Sequence, residues 1–409
     1  MDYYAVFRPV LILLRIEVPC QVEPWQAGGG DFIARTEEDC PEKDQDMKKE
    51  RYVSAPPVIR SSWDDLLEGI SSREEWLKKK TSLKKSYLEL LRDEYKPDTR
   101  PKPDLQVHEE TVVDDSYIRK LISYRVESDE RAHAYLALPL FPERRMPGIV
   151  ALHGTYPNGK DRAAGLEDNY QKAYLDHLAR RNYVVIAPDH FVAGHRIPPE
   201  GPYETGRFYR KHPEWTAVGK FTWEHSIAVD ILQAQPEVLP EKIGVLGHSL
   251  GGQGSLFLAA YDERIKAAAC NCSAPFFRHN REVLQWSRDR WYIYFKPIRQ
   301  GLLDGKLPPI DFHEIMALIA PRPLLDLFAV NDGDPLTQKQ RALMGLKVLD
   351  AYAMEGASDN FSFYVHGQGH SVPMDSRALM YAWMDKHLCP HLRISYNKAE
   401  KEFYDRAEN

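Results

Sequence analysis

The stretch KIGVLGHSLGGQGSLFLAA, Lys242 to Ala260, sets one serine between two glycines at the end of an apolar run. Residues Ile243 to Leu246 have the composition of a buried strand, and the small and apolar residues after the glycines predict a helix. A sharp turn from strand to helix leaves no room for side chains beside the serine and exposes its hydroxyl at the helix start, where negative charge is favoured. The pattern therefore predicts that Ser249 is a nucleophile.

A serine hydroxyl needs a positioned base to react at neutral pH. The segment FSFYVHGQGHSVP, residues 361–373, is a short strand that opens into a glycine-bounded loop carrying His370. A neutral imidazole can take the serine proton and later return it to the leaving group. We therefore expect His370 to be the base, with His366 at the strand end as the alternative.

The third member of such a site is a carboxylate that orients the histidine. The segment PRPLLDLFAVNDGDPLT, residues 321–337, offers Asp332 and Asp334 just after a strand. Asp332 is the preferred acid because it falls at the first turn residue, and Asp334 remains open. Asp326 lies inside the apolar run and is expected to be a buried structural carboxylate with a partner.

Acyl transfer also requires donors for the oxyanion. The amide of Leu250, directly after the nucleophile, is one expected donor. The other is expected in the loop after the strand GIVALHG, residues 148–154, from the backbone of Thr155 or Tyr156.

From about residue 112, short apolar runs alternate with helical patterns, which predicts an α/β fold with a mostly parallel sheet and helices on both faces. The runs at 117–126 and 132–140 are expected to form an antiparallel edge. Two long aromatic and basic insertions, 190–220 and 276–310, are expected to form a cap or the rim of a pocket.

Ligands of open parallel sheets bind beyond the carboxyl ends of the strands. Asp189 and His190 follow the strand YVVIAP at that edge, and Arg196 in the first insertion has the charge to receive a carboxylate or a sugar. A role in stabilising loops is the alternative for the first two, and a solvated rim is the alternative for Arg196. The complete set of expected substrate contacts is His153, Asp189, His190, Arg196 and His248.

The segments GIVALHG, VVIAPDHF, KIGVLGHSLGG, ALIAPRPLLD and YVHGQGHS, in this order, resemble the α/β-hydrolase superfamily, in particular its dienelactone-hydrolase-like and acetyl-xylan-esterase-like serine esterases. The resemblance covers about residues 112–390. It implies Ser249 as nucleophile, His370 as base and Asp332 or Asp334 as acid. Dienelactone hydrolases use a cysteine nucleophile, so the serine favours ordinary ester cleavage over lactone hydrolysis.

The domain boundaries are predicted at 1–110 for an amino-terminal extension, 111–395 for the catalytic domain and 396–409 for a tail. Within the extension, Ser72 and Glu75 have the spacing of a capping box, and four apolar residues recur at helical spacing. They are Trp76, Leu83, Tyr87 and Leu91. The apolar run VFRPVLILLRIEV, residues 6–18, is interrupted by charge and proline and is expected to pack or to form a homo-oligomer, with a targeting sequence as the alternative.

The net charge of −6 gives no electrostatic basis for binding nucleic acid. The five cysteines are odd in number and lack C-x-x-C spacing, which predicts a reducing, cytoplasmic location without disulfides or zinc. No nucleotide or metal motif appears in a suitable context, so we expect no cofactor, no metal and no membrane partner.

These patterns together predict a serine carboxylic ester hydrolase that acts through an acyl-enzyme on a small-molecule ester or an acetylated sugar. An amide or peptide hydrolase with the same three residues is the first alternative. A non-catalytic binding protein on the same fold is the second.

Overall fold

The computed structural model describes residues 66–142, 144–168, 170–273, 277, 286–333 and 335–388. The amino-terminal apolar run with its expected oligomer contact, Asp334 and the tail 396–409 lie outside these residues, as does part of the second insertion.

A single mixed sheet organises the described chain. Its strand order is β1-β2-β3-β5-β4-β6-β7-β8-β9. The pairs β1–β2, β2–β3 and β3–β5 are antiparallel. The pairs β5–β4, β4–β6, β6–β7, β7–β8 and β8–β9 are parallel. The mostly parallel sheet and its antiparallel edge are as predicted. The strands are β1 Gln106–Val113, β2 Tyr117–Glu127, β3 Glu130–Pro139, β4 Met146–Leu152, β5 Val184–Pro188, β6 Val238–His248, β7 Ile265–Asn271, β8 Leu324–Ala329 and β9 Phe361–His366.

Helices cover both faces of the sheet. Along β4, Val150 and Leu152 belong to one core while Ile149 and Ala151 belong to the other, as the alternation of a strand requires. The first core packs on α1, α5, α6, α8 and α9, and the second on α3 and α10. The helices are α1 Arg73–Leu91, α2 Lys160–Ala163, α3 Tyr174–Ala179, α4 Gly206–Lys211, α5 Ala217–Gln233, α6 Leu250–Tyr261, α7 Arg299–Leu303, α8 Phe312–Ile319, α9 Pro335–Met354 and α10 Met374–Leu388.

The region before residue 110 is more closely joined to the catalytic domain than the sequence indicated. α1 begins with the predicted capping box at Ser72 and buries the four expected apolar residues. Its Tyr87 hydroxyl donates to the Phe257 carbonyl at 2.6 Å, and the helix shares the core of α6. The predicted boundary at residue 110 falls within β1, which runs from Gln106 to Val113 and pairs with β2.

Candidate active site

The turn between β6 and α6 has the geometry that its glycines predict. Ser249 adopts φ 58° and ψ −121°, a conformation that L-residues rarely adopt. A Cβ on Gly251 would lie 2.0 Å from the Leu152 carbonyl oxygen, and one on Gly247 would lie 2.4 Å from the Gly251 oxygen. The two glycines are therefore required by close backbone packing around the serine.

The structure brings the predicted serine, histidine and preferred acid together. His370 Nε2 lies 2.8 Å from Ser249 Oγ, and His370 Nδ1 lies 2.7 Å from Asp332 Oδ2. The serine follows β6, the aspartate follows β8 and the histidine follows β9, so parallel strands deliver all three to one edge of the sheet. The alternative base, His366, instead accepts a hydrogen bond from the Gln368 amide at 3.2 Å.

The two aspartates of the 321–337 segment have different environments. Burial raises the pKa of Asp332, but the hydrogen bond and charge of His370 outweigh it, so the pKa lies below its ordinary value. Asp326 is buried and pairs with Arg341 at 3.0 Å, as expected of a structural carboxylate. Burial raises the pKa of Asp326.

Cys272 lies beside the acid. Ligand atoms of Cys272, Asp332 and His370 all fall within 4.8 Å of one another. Burial raises the pKa of the thiol to about 12, which keeps it protonated, whereas metal ligation requires the thiolate. We therefore assign the thiol to packing around the acid.

The two candidate oxyanion amides in the loop after β4 differ in their bonding. The Tyr156 amide donates to the Tyr203 hydroxyl at 2.8 Å and to the Gly154 carbonyl at 2.9 Å, so it is occupied. The Thr155 amide has no acceptor within the described residues. Leu250 is the first residue of α6, and its amide has no intrahelical acceptor. This bonding favours Leu250 and Thr155 over Tyr156 as the donor pair.

Residues expected to contact substrate instead hold the loop after β4. His153 Nε2 accepts from the His190 amide at 3.0 Å, while its Nδ1 lies 2.7 Å from the Gly154 carbonyl. Asp189 accepts from the Lys160 amide at 2.9 Å and pairs with its ammonium at 3.0 Å. Burial lowers the pKa of His153, so the ring is neutral and can accept this bond.

The remaining expected contacts also have internal partners. His190 Nε2 lies 2.8 Å from the Tyr292 hydroxyl, and His248 Nδ1 lies 2.8 Å from the Asn271 side-chain amide. Arg196 pairs with Glu224 and Glu130 in a buried network. Burial and these internal bonds favour a role in holding loops over substrate contact for His153, Asp189, His190 and His248. Arg196 is held by its two carboxylate partners and lines the cavity beside the first insertion.

The two insertions pack on each other. Thr205 Oγ1 donates to the Trp291 carbonyl at 3.0 Å, and the Tyr209 hydroxyl donates to the Ile293 carbonyl at 2.9 Å. The first insertion also encloses, with the β2–β3 turn, a cavity of about 480 Å³. Ser249 is not among its lining residues.

Sequence reasoning missed Tyr203, which holds the loop after β4 from the first insertion. No motif in its neighbourhood singles it out, and its position follows only from the folded insertion.

The profile of the α/β-hydrolase fold family matches residues 150–331. The putative hydrolase YtaP of Bacillus subtilis (strain 168) is 30% identical over 251 residues, which span 59% of this chain and 78% of that protein. Carbohydrate esterase MZ0003, from an unknown prokaryotic organism, is 30% identical over 132 residues, 29% of each chain.

Solved structures agree in fold. The glucuronoyl esterase from Solibacter usitatus superposes with a TM-score of 0.60 at 17% identity, covering 82% of this chain and 98% of that one. A putative acetyl xylan esterase from Bacteroides fragilis NCTC 9343 gives 0.57 at 18% identity, covering 81% and 84%.

The chain belongs to the α/β-hydrolase family. The predicted fold and the prediction that the protein is a hydrolytic enzyme are confirmed. Within the described part of the chain, no helix has both the length and the apolar character needed to span a bilayer.

Proposed function

We propose that the protein is a serine esterase that cleaves carboxylic esters of small molecules or sugars through an acyl-enzyme on Ser249. The observation that carries the proposal is the imidazole of His370, placed between the serine hydroxyl and the carboxylate of Asp332. An imidazole in this position has a proton acceptor facing the nucleophile and a fixed partner behind it.

In the first half of the reaction, Ser249 Oγ attacks the ester carbonyl while His370 Nε2 takes its proton. The Leu250 and Thr155 amides donate to the resulting oxyanion, and Asp332 stabilises the imidazolium. The bond to the alcohol then breaks, and His370 returns the proton to the departing oxygen.

In the second half, water takes the place of the alcohol. His370 removes a proton from this water as its oxygen bonds to the acyl carbon, and the bond to Ser249 Oγ breaks. The serine recovers its proton from the imidazole. The acid is released, and the three residues return to their starting states.

The named relatives favour sugar esters as the substrate class. One curated relative is a carbohydrate esterase, and a second is the 4-O-methyl-glucuronoyl methylesterase of Phanerochaete carnosa (strain HHB-10118-sp), 26% identical over 195 residues, 42% of this chain and 47% of that one. The His370 side chain is 48% exposed, which leaves the site open to a bulky alcohol. We also propose a cytoplasmic location. Cys270 and Cys272 are free thiols, which is in keeping with a reducing compartment.

The test is the loss of both hydrolysis and labelling. Ser249→Ala should abolish cleavage of p-nitrophenyl acetate and reaction with a fluorophosphonate. Ser255→Ala, which removes a buried hydroxyl from the same helix, should retain both. Hydrolysis or labelling that persists in Ser249→Ala rejects the nucleophile. Rates on matched ester and amide substrates separate an esterase from a peptide hydrolase.

A further inference from the structure

A buried side chain at the end of β7, that of Asn271, joins the nucleophile turn to the histidine loop. Asn271 lies opposite His248 in the pairing of β6 with β7. Its backbone carbonyl accepts from the Ser249 amide at 2.9 Å. Its side-chain nitrogen lies 2.8 Å from His248 Nδ1 and donates to the Ser371 carbonyl at 2.9 Å. Ser371 directly follows the base His370, so one residue contacts both halves of the site.

The partners of the Asn271 side chain determine its orientation. A carbonyl oxygen can only accept, so the nitrogen of the side chain must face Ser371. Its second hydrogen is then available to His248 Nδ1, which must be unprotonated in order to accept it. Burial lowers the pKa of His248 well below its ordinary value, and the charge of His370 acts in the same direction. Both donors of the Asn271 amide are therefore used.

The two polar side chains are costly for the fold. Asn271 and His248 are both fully buried. The side-chain oxygen of Asn271 and Nε2 of His248 are buried and have no hydrogen-bond partner in the described part of the chain. Each of these groups carries a desolvation cost that apolar side chains of similar volume would avoid. Such exceptions are expected where the placement of a functional group matters more than stability.

The base needs support from its neighbours. The His370 side chain is half-exposed, so packing alone does not hold it. The rings of His248 and His370 lie with their centres 4.7 Å apart. The bond from Asn271 to Ser371 fixes the backbone next to the base from the side of the nucleophile. This matters because a displacement of about 1 Å can cost a factor of about 10² in rate.

We propose that Asn271 is a positioning residue for the base: it ties the loop of His370 to the nucleophile turn and keeps His370 Nε2 within reach of Ser249 Oγ. His248 acts through Asn271, because its ring accepts one amide hydrogen and so directs the other towards Ser371. This inference rests on the proposed esterase function and concerns the same site.

The test removes the donors and the acceptor separately. Asn271→Leu removes both donors at similar volume, and Asn271→Asp keeps the shape but presents oxygens to the Ser371 carbonyl. His248→Leu removes the acceptor, whereas His248→Asn retains one at the same distance along the side chain. The matched control is Ser273→Ala, which removes a buried hydroxyl from the segment just after Asn271; that hydroxyl lies 3.5 Å from Asp326 in the core.

The kcat and KM values for p-nitrophenyl acetate are measured per active site, with sites counted by completed fluorophosphonate labelling. Asn271→Leu and Asn271→Asp should each lower kcat about tenfold to 100-fold with little change in KM, because a misplaced base slows proton transfer without weakening substrate binding. His248→Leu should lower kcat about tenfold, and His248→Asn should restore part of the loss. Ser273→Ala should retain the kcat of the wild type.

A double variant tests whether the two side chains act in series. Asn271→Leu combined with His248→Leu should be no slower than Asn271→Leu alone, since His248 acts through Asn271. Losses that multiply in the double variant would contradict this coupling. If Asn271→Leu yields no folded protein, Asn271→Asp takes its place in the comparison because it keeps the volume of the side chain.

One result overturns the positioning role while leaving the esterase proposal intact. It is a wild-type kcat per active site in the Asn271 variants, with a smaller fraction of labelled protein as the only change, as a purely structural role predicts. Wild-type protein that neither hydrolyses p-nitrophenyl acetate nor reacts with the fluorophosphonate contradicts the esterase proposal itself.

Discussion

The serine turn and the histidine loop meet at one hydrogen bond, yet they are built in opposite ways. Around Ser249 the backbone is so tightly packed that added methyl groups would overlap carbonyl oxygens. Around His370, a Cβ on Gly367 or Gly369 would meet nothing within 4 Å. The loop is instead held by Asn331, which accepts from the Gly369 amide at 2.8 Å and donates to the Gly367 carbonyl at 3.0 Å.

This difference separates two kinds of constraint. Packing fixes the nucleophile, so its surroundings tolerate little change. Hydrogen bonds from a neighbouring loop fix the base, so its surroundings tolerate added volume but depend on particular polar partners. The first of the predictions below tests that distinction, and the others extend it to the acid, the oxyanion loop and the packed interior.

A large loss of stability is expected from adding a methyl group to the serine turn. Gly251→Ala would place a Cβ 2.0 Å from the Leu152 carbonyl oxygen and should lower the free energy of unfolding by about 3 kcal/mol or more. Gly367→Ala, in the open histidine loop, should change it by no more than about 0.5 kcal/mol. Denaturant unfolding of both variants measures the contrast, and equal losses would remove the distinction between the two regions.

The second prediction separates an acid that acts in catalysis from one that acts in the core. Asp332→Asn should lower kcat by about 10⁴, because the imidazole loses the partner that fixes its tautomer and stabilises its charge. Asp326→Asn should lower the free energy of unfolding by about 3 kcal/mol, because it leaves the buried Arg341 unpaired, while kcat per active site is largely retained. Kinetics with titrated sites and unfolding curves together check both variants. The reverse outcome would exchange the two roles.

The sequence predicts the serine turn more fully than it predicts the contacts made by the insertions. The glycines, the strand and the following helix identify Ser249, because close packing leaves a pattern in residue types. The order after successive strands predicts Asp332 and His370, and only the place of Asp332 at the first turn residue favours it over Asp334. The pairing of the Tyr156 amide with Tyr203 was not predictable, since residues far apart in the chain meet only through a folded insertion. The sequence left open whether Asp189 contacts substrate or stabilises a loop, and it did not predict the ion pairs of Arg196, because a buried ion pair and a charged rim use the same residue types.

A third, smaller effect is expected from the support of the oxyanion loop. Tyr203→Phe removes the hydroxyl that accepts from the Tyr156 amide, so the neighbouring Thr155 amide should shift and kcat should fall about tenfold with little change in KM. Tyr209→Phe removes another buried hydroxyl from the same insertion, bonded to the Ile293 carbonyl at 2.9 Å, and should affect stability only. Steady-state kinetics decide the matter, and equal kcat values for the two variants would exclude a positioning role for Tyr203.

The fourth prediction concerns the acid sensitivity of the packed interior. Burial lowers the pKa of His177 and of His225 from 6.5 to about 3, so the unfolded chain binds protons at pH values where the folded protein does not. Stability should therefore fall as the pH drops from about 6.5 towards 3, by up to about 1.4 kcal/mol per pH unit for each ring. His225→Gln should reduce this slope by one ring's share in unfolding curves at several pH values. An unchanged slope would show that His225 is not buried in its neutral form.

The most direct test of the central claim is the capture of the acyl-enzyme. The protein is mixed with p-nitrophenyl acetate, quenched in acid within the first turnover, digested and examined by mass spectrometry. One acetyl group should appear on the peptide that contains Ser249, and it should be absent from the Ser249→Ala protein. An acetyl group on any other residue, or turnover without a modified Ser249, would contradict nucleophilic catalysis at this serine.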